Sequence, residues 1–243
     1  MNYFLTGGTG FIGSFLVPKL LARGGTVYVL TRSGSMDKVK QLRERWNATD
    51  KNLVAIKGDL TKKNLGVAKK DLANLEGKID HVFHLAAVYD MMADAETQEA
   101  ANVDGTRNAV NFAEAAKAGC FHHISSIAVA GLYRGIFRED MFKEAEKLEN
   151  PYMRTKHESE KVVREECDVP FRIYRPGIVV GHSKTGEIDK IDGPYYLFRM
   201  IQKVRNLLPQ WVPTIGIEGG RLNIVPVDFV VDALDYIDHA KGE

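Results

Sequence analysis

The stretch T-G-G-T-G-F-I-G at residues 6–13 decides the fold. It follows an apolar run at residues 2–5 and precedes an apolar segment with helical periodicity. Gly7, Gly10 and Gly13 recur every three residues. Between a strand and a helix, such glycines permit a tight turn, close approach of the backbone to a pyrophosphate, and close packing of the helix on the strand. The helix amino terminus then offers free N–H groups to phosphates, so the stretch predicts a dinucleotide site, the alternative being a turn that holds no ligand.

Apolar and polar segments alternate along the rest of the chain. They predict strands at residues 2–6, 26–31, 53–57, 81–86, 121–125, 171–175 and 222–225, and helices at 11–23, 36–46, 64–73, 98–118, 151–166, 195–206 and 228–240. Repeated β-α-β units predict an α/β fold, a doubly wound parallel sheet of the Rossmann type with helices on both faces. We interpret residues 1–243 as a single NAD(P)-binding domain. Glycines and prolines interrupt the pattern at residues 183–220, which we interpret as a small substrate-binding insertion near the carboxyl terminus.

Composition excludes several classes of function. The 243 residues are 44% hydrophobic and 27% charged, which is typical of a globular domain. A net charge of +1 gives no general field to attract nucleic acid, so no nucleic-acid partner is expected. No stretch approaches the roughly 20 apolar residues of a membrane span, so no integral membrane segment is expected. Cys120 and Cys167 lack metal-ligand spacing, so we predict reduced thiols, no metal site and a cytoplasmic location.

The end of the second predicted strand indicates which dinucleotide binds. This strand ends at Thr31 and is followed by Arg32. NAD-binding domains of this type place an acidic residue there, which accepts hydrogen bonds from the ribose 2′-OH. An arginine suits a 2′-phosphate instead, so we predict NADP, the alternative being a solvated charge at a strand end. Asp59, after the third strand, either accepts a hydrogen bond from adenine or only forms a turn.

A tyrosine, a lysine and a serine pair point to a catalytic centre. Tyr152 and Lys156 are four residues apart on a predicted helix, so they share one helical face. A lysine charge favours the phenolate of a neighbouring tyrosine, as general acid–base catalysis requires. Ser125 and Ser126 end the fifth strand, where a hydroxyl is placed to hydrogen-bond a carbonyl oxygen. Together these residues predict a centre that polarises a carbonyl. Taken alone, the tyrosine and lysine would also fit a half-buried ring beside a solvated amine.

Further motifs extend this pattern over nearly the whole chain. They are G-D-L at 58–60, H-L-A-A at 84–87, N-V-D-G-T at 102–106, I-S-S-I-A-V-A-G at 124–131, Y-M-R-T-K at 152–156 and R-P-G-I-V-V-G at 175–181. With the glycine stretch, and in this order, they resemble the extended branch of the short-chain dehydrogenase/reductase superfamily.

The resemblance implies a role for each matching residue. Ser126, Tyr152 and Lys156 would be catalytic, with Tyr152 as proton donor and Lys156 also orienting the nicotinamide ribose. Asn102 would be mainly structural. The implied cofactor-binding residues are Gly7, Thr9, Gly10, Phe11, Ile12, Gly13, Arg32, Asp59, Leu60, Ala86, Ala87, Lys156, Pro176 and Gly177.

The variable segments resemble one group of this superfamily more closely. Residues 1–13, 81–90 and 221–234 look like the amino-terminal reductase domain of bacterial bifunctional fatty acyl-CoA reductases. This implies NADPH-dependent reduction of a long-chain fatty aldehyde, an acyl-CoA thioester or both towards a fatty alcohol. An apolar substrate lining is predicted from Tyr89, Met91, Tyr195, Phe198 and Trp211, although a buried core would also use such residues.

Two other functions remain open from the sequence. Sugar-nucleotide epimerases and dehydratases share these motifs, but they favour NAD and an acidic residue in place of Arg32. A non-catalytic NADP-binding regulator or scaffold is the other, although the chain retains Ser126, Tyr152 and Lys156. Extended relatives continue past a segment like 222–240, so we expect a fragment of a longer chain, which a second reductase domain could follow.

Overall fold

A parallel sheet forms the centre of the molecule. The computed structural model describes residues 1–87, 95–188, 194–207 and 222–240. The strands are β1 (Asn2–Thr6), β2 (Thr26–Thr31), β3 (Leu53–Lys57), β4 (His81–His84), β5 (Cys120–Ile124), β6 (Phe171–Tyr174), β7 (Ile178–Val180) and β8 (Ile224–Pro226). The sheet has the strand order β3-β2-β1-β4-β5-β6, and a separate pair joins β7 to β8 in parallel. This order confirms the doubly wound α/β fold. It reverses direction between β1 and β4, so their carboxyl ends flank the crevice where such sheets bind ligands.

Helices cover both faces of this sheet. They are α1 (Phe11–Ala22), α2 (Met36–Arg45), α3 (Lys69–Leu75), α4 (Ala95–Glu99), α5 (Gly105–Ala115), α6 (Pro151–Glu166), α7 (Pro194–Leu207) and α8 (Val227–His239). Within the ranges that the structure describes, no helix is long and apolar enough to cross a membrane.

Alternation along β1 divides the core into two clusters. Tyr3 and Leu5 are buried on one face of the sheet with residues of α1 and α8. Phe4 points to the other face, where its ring lies 4.2 Å from that of Phe112 on α5, measured between ring centroids. Because successive side chains of a strand point to opposite faces, both faces of β1 require apolar residues. Burial on both faces fixes the position of β1, and therefore the position of the glycine turn that follows it.

Two expectations about the elements were wrong, and one strand was missed. Residues 64–73 do not form one helix, because Asn64, Leu65 and Gly66 adopt φ of 50°, 58° and 60°, and α3 begins only at Lys69. The helix predicted over 98–118 begins at Ala95, and a π-helical segment, Ala100–Asp104, separates α4 from α5. The short strand β7 was not predicted. Of the predicted substrate-facing segment, residues 183–188 and 194–207 are described.

Candidate active site

The glycine turn joins β1 to α1 and lies against the end of β4. Gly7 has φ of 72°, and a Cβ there would lie 2.7 Å from the backbone nitrogen of Ala86. A Cβ at Gly13 would lie 2.3 Å from the carbonyl oxygen of Gly7, so only glycine lets α1 pack this closely. At Gly10, among the residues that the structure describes, a Cβ would meet only that same oxygen, at 3.2 Å, which leaves the backbone approachable. The turn therefore fits a dinucleotide: two glycines close it, and the third leaves its surface open.

The other residues of the first turn lie around this surface. Thr9, Phe11 and Ile12 are half-buried. The Phe11 ring meets that of Phe15 edge-on at 5.8 Å, and Ile12 packs against the core. The first helical N–H groups remain at the turn, where a pyrophosphate would meet them.

A cavity of about 440 Å³ lies beyond the carboxyl ends of β2 and β3. It brings together the predicted residues Arg32 and Asp59, and it adds Lys57 and Lys62, which sequence reasoning missed. A signal for Lys57 existed, since it ends a strand next to β2. The remaining lining residues are Gly58, Gly66, Ala68 and Asp71. Three cations and two carboxylates thus surround a space at the predicted adenosine end.

The Asp59 carboxylate is engaged in its own turn. Its Oδ1 accepts hydrogen bonds from the backbone N–H of Thr61 at 3.0 Å and from the Thr61 hydroxyl at 2.8 Å. These hydrogen bonds hold the pKa of Asp59 below its usual value. Leu60 packs against Gly105 of α5, where a Cβ would lie 2.8 Å from Leu60 Cγ. Asp59 therefore forms the turn, and its contact with adenine stays a prediction.

Helix α6 carries Tyr152 and Lys156 on one face. Asn150 caps the helix by accepting a hydrogen bond from the Tyr152 N–H at 2.9 Å, and Pro151 occupies the first turn. Tyr152 is half-buried, whereas Lys156 is 4% exposed. The Lys156 ammonium donates to the carbonyl oxygen of Ile124, at the end of β5, at 3.0 Å. Burial lowers the pKa of Lys156 to about 8, and the negative charge of Glu160 acts in the opposite direction.

Ser126 lies in the turn that follows β5. Its Oγ accepts a hydrogen bond from the Ala128 N–H at 3.1 Å. His157 of α6 lies with Nδ1 3.1 Å from the carbonyl oxygen of Val129, which holds this turn against the helix that carries Tyr152. The Ile127 N–H donates to the Pro176 carbonyl at 3.1 Å. The structure therefore brings Ser126, α6 and Pro176 to one place.

Gly177 follows Pro176 in the chain, whereas Ala86 lies beside the glycine turn. A Cβ at Gly177 would lie 2.5 Å from the carbonyl oxygen of Asn223, so a glycine is needed where β8 approaches. The N–H of Ala86 donates to Thr6 Oγ1 at 3.3 Å, and Ala87 is exposed.

Sequence reasoning missed a buried chain of hydrogen bonds through His84. Thr6 Oγ1 lies 2.7 Å from Nδ1, and Thr106 Oγ1 lies 3.1 Å from Nε2. Because Thr106 donates its proton to the Asn102 carbonyl at 2.6 Å, it accepts one from Nε2. Burial lowers the pKa of His84 to about 3, so the imidazole is neutral and Nδ1 accepts from the Thr6 hydroxyl. The chain links the end of β4, through Ala86, to the π-helical segment at Asn102.

The predicted substrate residues are described only in part. Tyr195 lies on α7, where its hydroxyl oxygen accepts a hydrogen bond from the Gly181 N–H at 2.7 Å. Phe198 lies on the same helix, but its side chain is outside the described part. Tyr89, Met91 and Trp211 lie outside the described residues.

Comparison with known proteins identifies the family. The model of the NAD-binding family described as "Male sterility protein" matches residues 5–234. The nonribosomal peptide synthetase FrzA of a Cladobotryum species is 32% identical over 257 residues, which cover 96% of this chain and 24% of FrzA. Aldehyde reductase lnbA of Aspergillus flavus is 29% identical over 98% of this chain and 25% of its own length. The chain thus spans about a quarter of these relatives.

A solved structure gives the same result. The terminal R domain of the myxalamid PKS-NRPS biosynthetic pathway superposes with a TM-score of 0.81 at 28% identity, covering 99% of this chain and 63% of that domain. The chain belongs to the NAD-binding family described as male sterility protein, within the extended short-chain dehydrogenase/reductase superfamily.

Proposed function

We propose that the chain reduces a carbonyl group with NADPH, and that the substrate is a long-chain fatty aldehyde, a fatty acyl-CoA thioester or both. One observation carries the proposal. The ammonium of Lys156 is buried at the end of β5, on the helical face that carries Tyr152 and next to the turn that carries Ser126. Burying a lysine costs free energy, and the hydrogen bond to the Ile124 carbonyl offsets only part of that cost.

The glycine turn and the adenosine-end cavity would hold the cofactor. Gly10 and the first N–H groups of α1 would face the pyrophosphate, and Arg32 would face the 2′-phosphate. Lys57 and Lys62 line the same cavity and add positive charge there. This charge favours NADP over NAD. When bound, the reduced nicotinamide supplies the hydride.

The three residues at the other end would control the proton and the carbonyl oxygen. Ser126 would donate a hydrogen bond to the oxygen while Tyr152 transfers its proton to it, so that an aldehyde becomes an alcohol. Lys156, charged below a pH of about 8, would favour the tyrosinate that this transfer leaves. With a thioester, hydride transfer to the carbonyl carbon and proton transfer from Tyr152 would give a hemithioacetal. Its C–S bond would then break while its hydroxyl proton passes to sulfur, which releases the thiol and leaves an aldehyde.

The apolar substrate is supported by helix α7 and by the relatives. Met200, Ile201 and Val204 are 57%, 52% and 48% exposed on this helix, within the predicted substrate-facing segment. The name of lnbA, an aldehyde reductase, supports an aldehyde as one substrate. An acyl chain would match such side chains.

The test compares decanal with palmitoyl-CoA, each with NADPH and NADH, in the parent chain and in Tyr152→Phe. We expect NADPH oxidation with at least one substrate, and a loss of about 10²- to 10⁴-fold in kcat in Tyr152→Phe with unchanged NADPH affinity. Tyr236→Phe is the matched control, since Tyr236 is 74% exposed on α8. Full turnover in Tyr152→Phe would remove Tyr152 from the mechanism. NADPH binding without turnover of either substrate would favour a regulator or scaffold.

A further inference from the structure

A carboxylate with three polar partner residues is buried one turn beyond Lys156. Glu160 has no exposed surface. Its Oε2 accepts a hydrogen bond from the Ser125 hydroxyl at 2.9 Å, and Arg175 reaches Oε1 through Nη2 at 2.5 Å and Oε2 through Nε at 3.1 Å. Arg164 donates to Oε1 at 2.9 Å. Glu160 thus ties α6 to the end of β5, next to Ser126, and to the segment after β6.

Arg175 extends these contacts to the segment before α6. Its guanidinium donates to the carbonyl oxygens of Arg138 at 3.2 Å and Met141 at 2.8 Å. The next residue, Pro176, accepts the hydrogen bond of the Ser126 turn. Since Glu160 orients Arg175 through two hydrogen bonds, it also orients the two backbone segments that Arg175 and its neighbour contact.

Glu160 carries its charge next to Lys156. Burial on its own raises the pKa of Glu160, but the hydrogen bond and charge of Arg175, with Ser125 and Arg164, keep that pKa below its usual value. The carboxylate is therefore ionised at neutral pH, and its charge favours the ammonium form of Lys156.

The other titratable groups around Lys156 do not replace this charge. His84 of β4 and His123 of β5 are buried beside it, and burial lowers the pKa of both, with the charge of Lys156 adding to the effect. They are neutral at physiological pH. Tyr152 lies one turn before Lys156 on α6. Among the groups that the structure describes here, Glu160 supplies the negative charge.

We propose that Glu160 is a positioning residue of the candidate active site, which fixes the Ser125–Ser126 strand end and keeps Lys156 in its ammonium form. The inference rests on the proposed roles of Ser126 and Lys156. It deepens them, because it makes the ammonium form of Lys156 depend on Glu160, a residue to which the proposed function gives no contact with substrate or cofactor.

The test is Glu160→Gln, which keeps the side-chain shape and removes the charge. The titration of Lys156 is followed by its Cε chemical shift in lysine-labelled protein, assigned by its loss in Lys156→Arg, and kcat is measured against pH. We expect the Lys156 transition and the alkaline limb of kcat to move about one pH unit lower, because the negative charge four residues away on the same helix, which favours the ammonium form, is lost.

Glu166→Gln is the matched control. Glu166 lies on the same helix and pairs with Arg107 at 2.9 Å, but it is 44% exposed. This variant leaves both readings unchanged. A Lys156 transition that does not move in Glu160→Gln overturns the proposal. If the transition moves but the chain reduces neither substrate, the inference about the charge stands and the proposed function fails.

Ser125→Ala tests the positioning role separately. It removes only one hydrogen bond to Glu160, so it keeps the proposal testable even if Glu160→Gln does not fold. We expect kcat to fall about tenfold with KM nearly unchanged, because the Ser126 turn loses an anchor while substrate contacts remain. The Lys156 titration stays in place, because Glu160 keeps its charge. Unchanged kcat in Ser125→Ala overturns the positioning role.

Discussion

The two ends of the candidate active site differ in whether their charged side chains are buried or exposed. At the end formed by β5 and α6, Lys156 and Glu160 are buried and bind fixed partners. At the adenosine end, Arg32 is exposed beside an open cavity, and Asp59 bonds within its own turn. Buried charges cost desolvation free energy that only well-placed partners offset, whereas exposed charges are screened by water and salt.

Substitutions at the two ends are therefore expected to have different effects. A change at the buried end alters the neighbours of the changed residue, so it affects stability and turnover together. A change at the exposed end alters the affinity for the cofactor and leaves the fold as it is. The glycine turn lies between the two ends and supports both.

The largest effect is expected for Gly13→Ala, which disrupts the turn that both ends share. The new Cβ would lie 2.3 Å from the Gly7 carbonyl oxygen and 2.6 Å from Gly8 Cα, and backbone atoms there cannot move aside cheaply. We expect the free energy of unfolding to fall by about 3 kcal/mol and NADPH binding to be lost. Urea denaturation and fluorescence titration measure the two.

Gly34→Ala is the control for stability in this experiment. A Cβ at Gly34 meets nothing within 4 Å in the described parts of the chain, so its effect should stay within about 0.5 kcal/mol. Equal stabilities of the two variants would show that α1 does not pack on the turn as closely as described.

The sequence predicted the strands of the sheet better than its connections. The bounds of β1, β2 and β3 are confirmed, because each is a short apolar run in a sheet that is covered on both faces. The turn at 64–66 was not predicted, since apolar periodicity says nothing about the positive φ of Asn64 and Leu65. Strand β7 has three residues, too few to show a period.

The candidate site was predictable where it follows from spacing along one element. Four-residue spacing places Tyr152 and Lys156 on one face of α6, as the structure has them. Their electrostatic environment was not predictable, because it depends on residues far apart in sequence, such as Arg175 and Ser125 around Glu160. The one signal in the sequence was that Glu160 continues the four-residue spacing of Tyr152 and Lys156. This spacing did not predict a buried carboxylate, because a glutamate on a helix usually faces water.

The second-largest effect is expected at the buried end, in the pH dependence of the free energy of unfolding. The folded-state pKa of His84, about 3, lies below the unfolded value of about 6.5. As the pH falls, the unfolded chain therefore binds a proton at a higher pH than the folded chain does. The contribution of His84 to the free energy of unfolding is present above pH 6.5 and is lost progressively towards pH 3. For this one histidine we expect a loss of about 2 kcal/mol between pH 7 and pH 5.

His84→Gln isolates this contribution, because the amide can still donate to Thr106 and does not titrate. The variant is less stable at pH 7, but its free energy of unfolding should fall by about 2 kcal/mol less than that of the parent between pH 7 and pH 5. Urea denaturation at both pH values gives the two differences. The same pH dependence in parent and variant would contradict a neutral, buried His84.

The smallest effect is expected at the exposed end, in Arg32→Ala. We expect KM for NADPH to rise about tenfold, which corresponds to about 1.4 kcal/mol, because one charge-assisted contact with the 2′-phosphate is lost. KM for NADH and the free energy of unfolding stay as in the parent. Because Arg32 is exposed, the difference should shrink as salt screens the phosphate.

Lys51→Ala removes the same charge from an exposed residue that does not line the cavity, so it should leave KM unchanged. If Arg32→Ala instead lowers stability, or raises KM for both cofactors equally, Arg32 does not select the phosphate. The exposed end would then depend on its charges for structure, as the buried end does, and the choice of cofactor would have to come from Lys57 and Lys62, which line the same cavity.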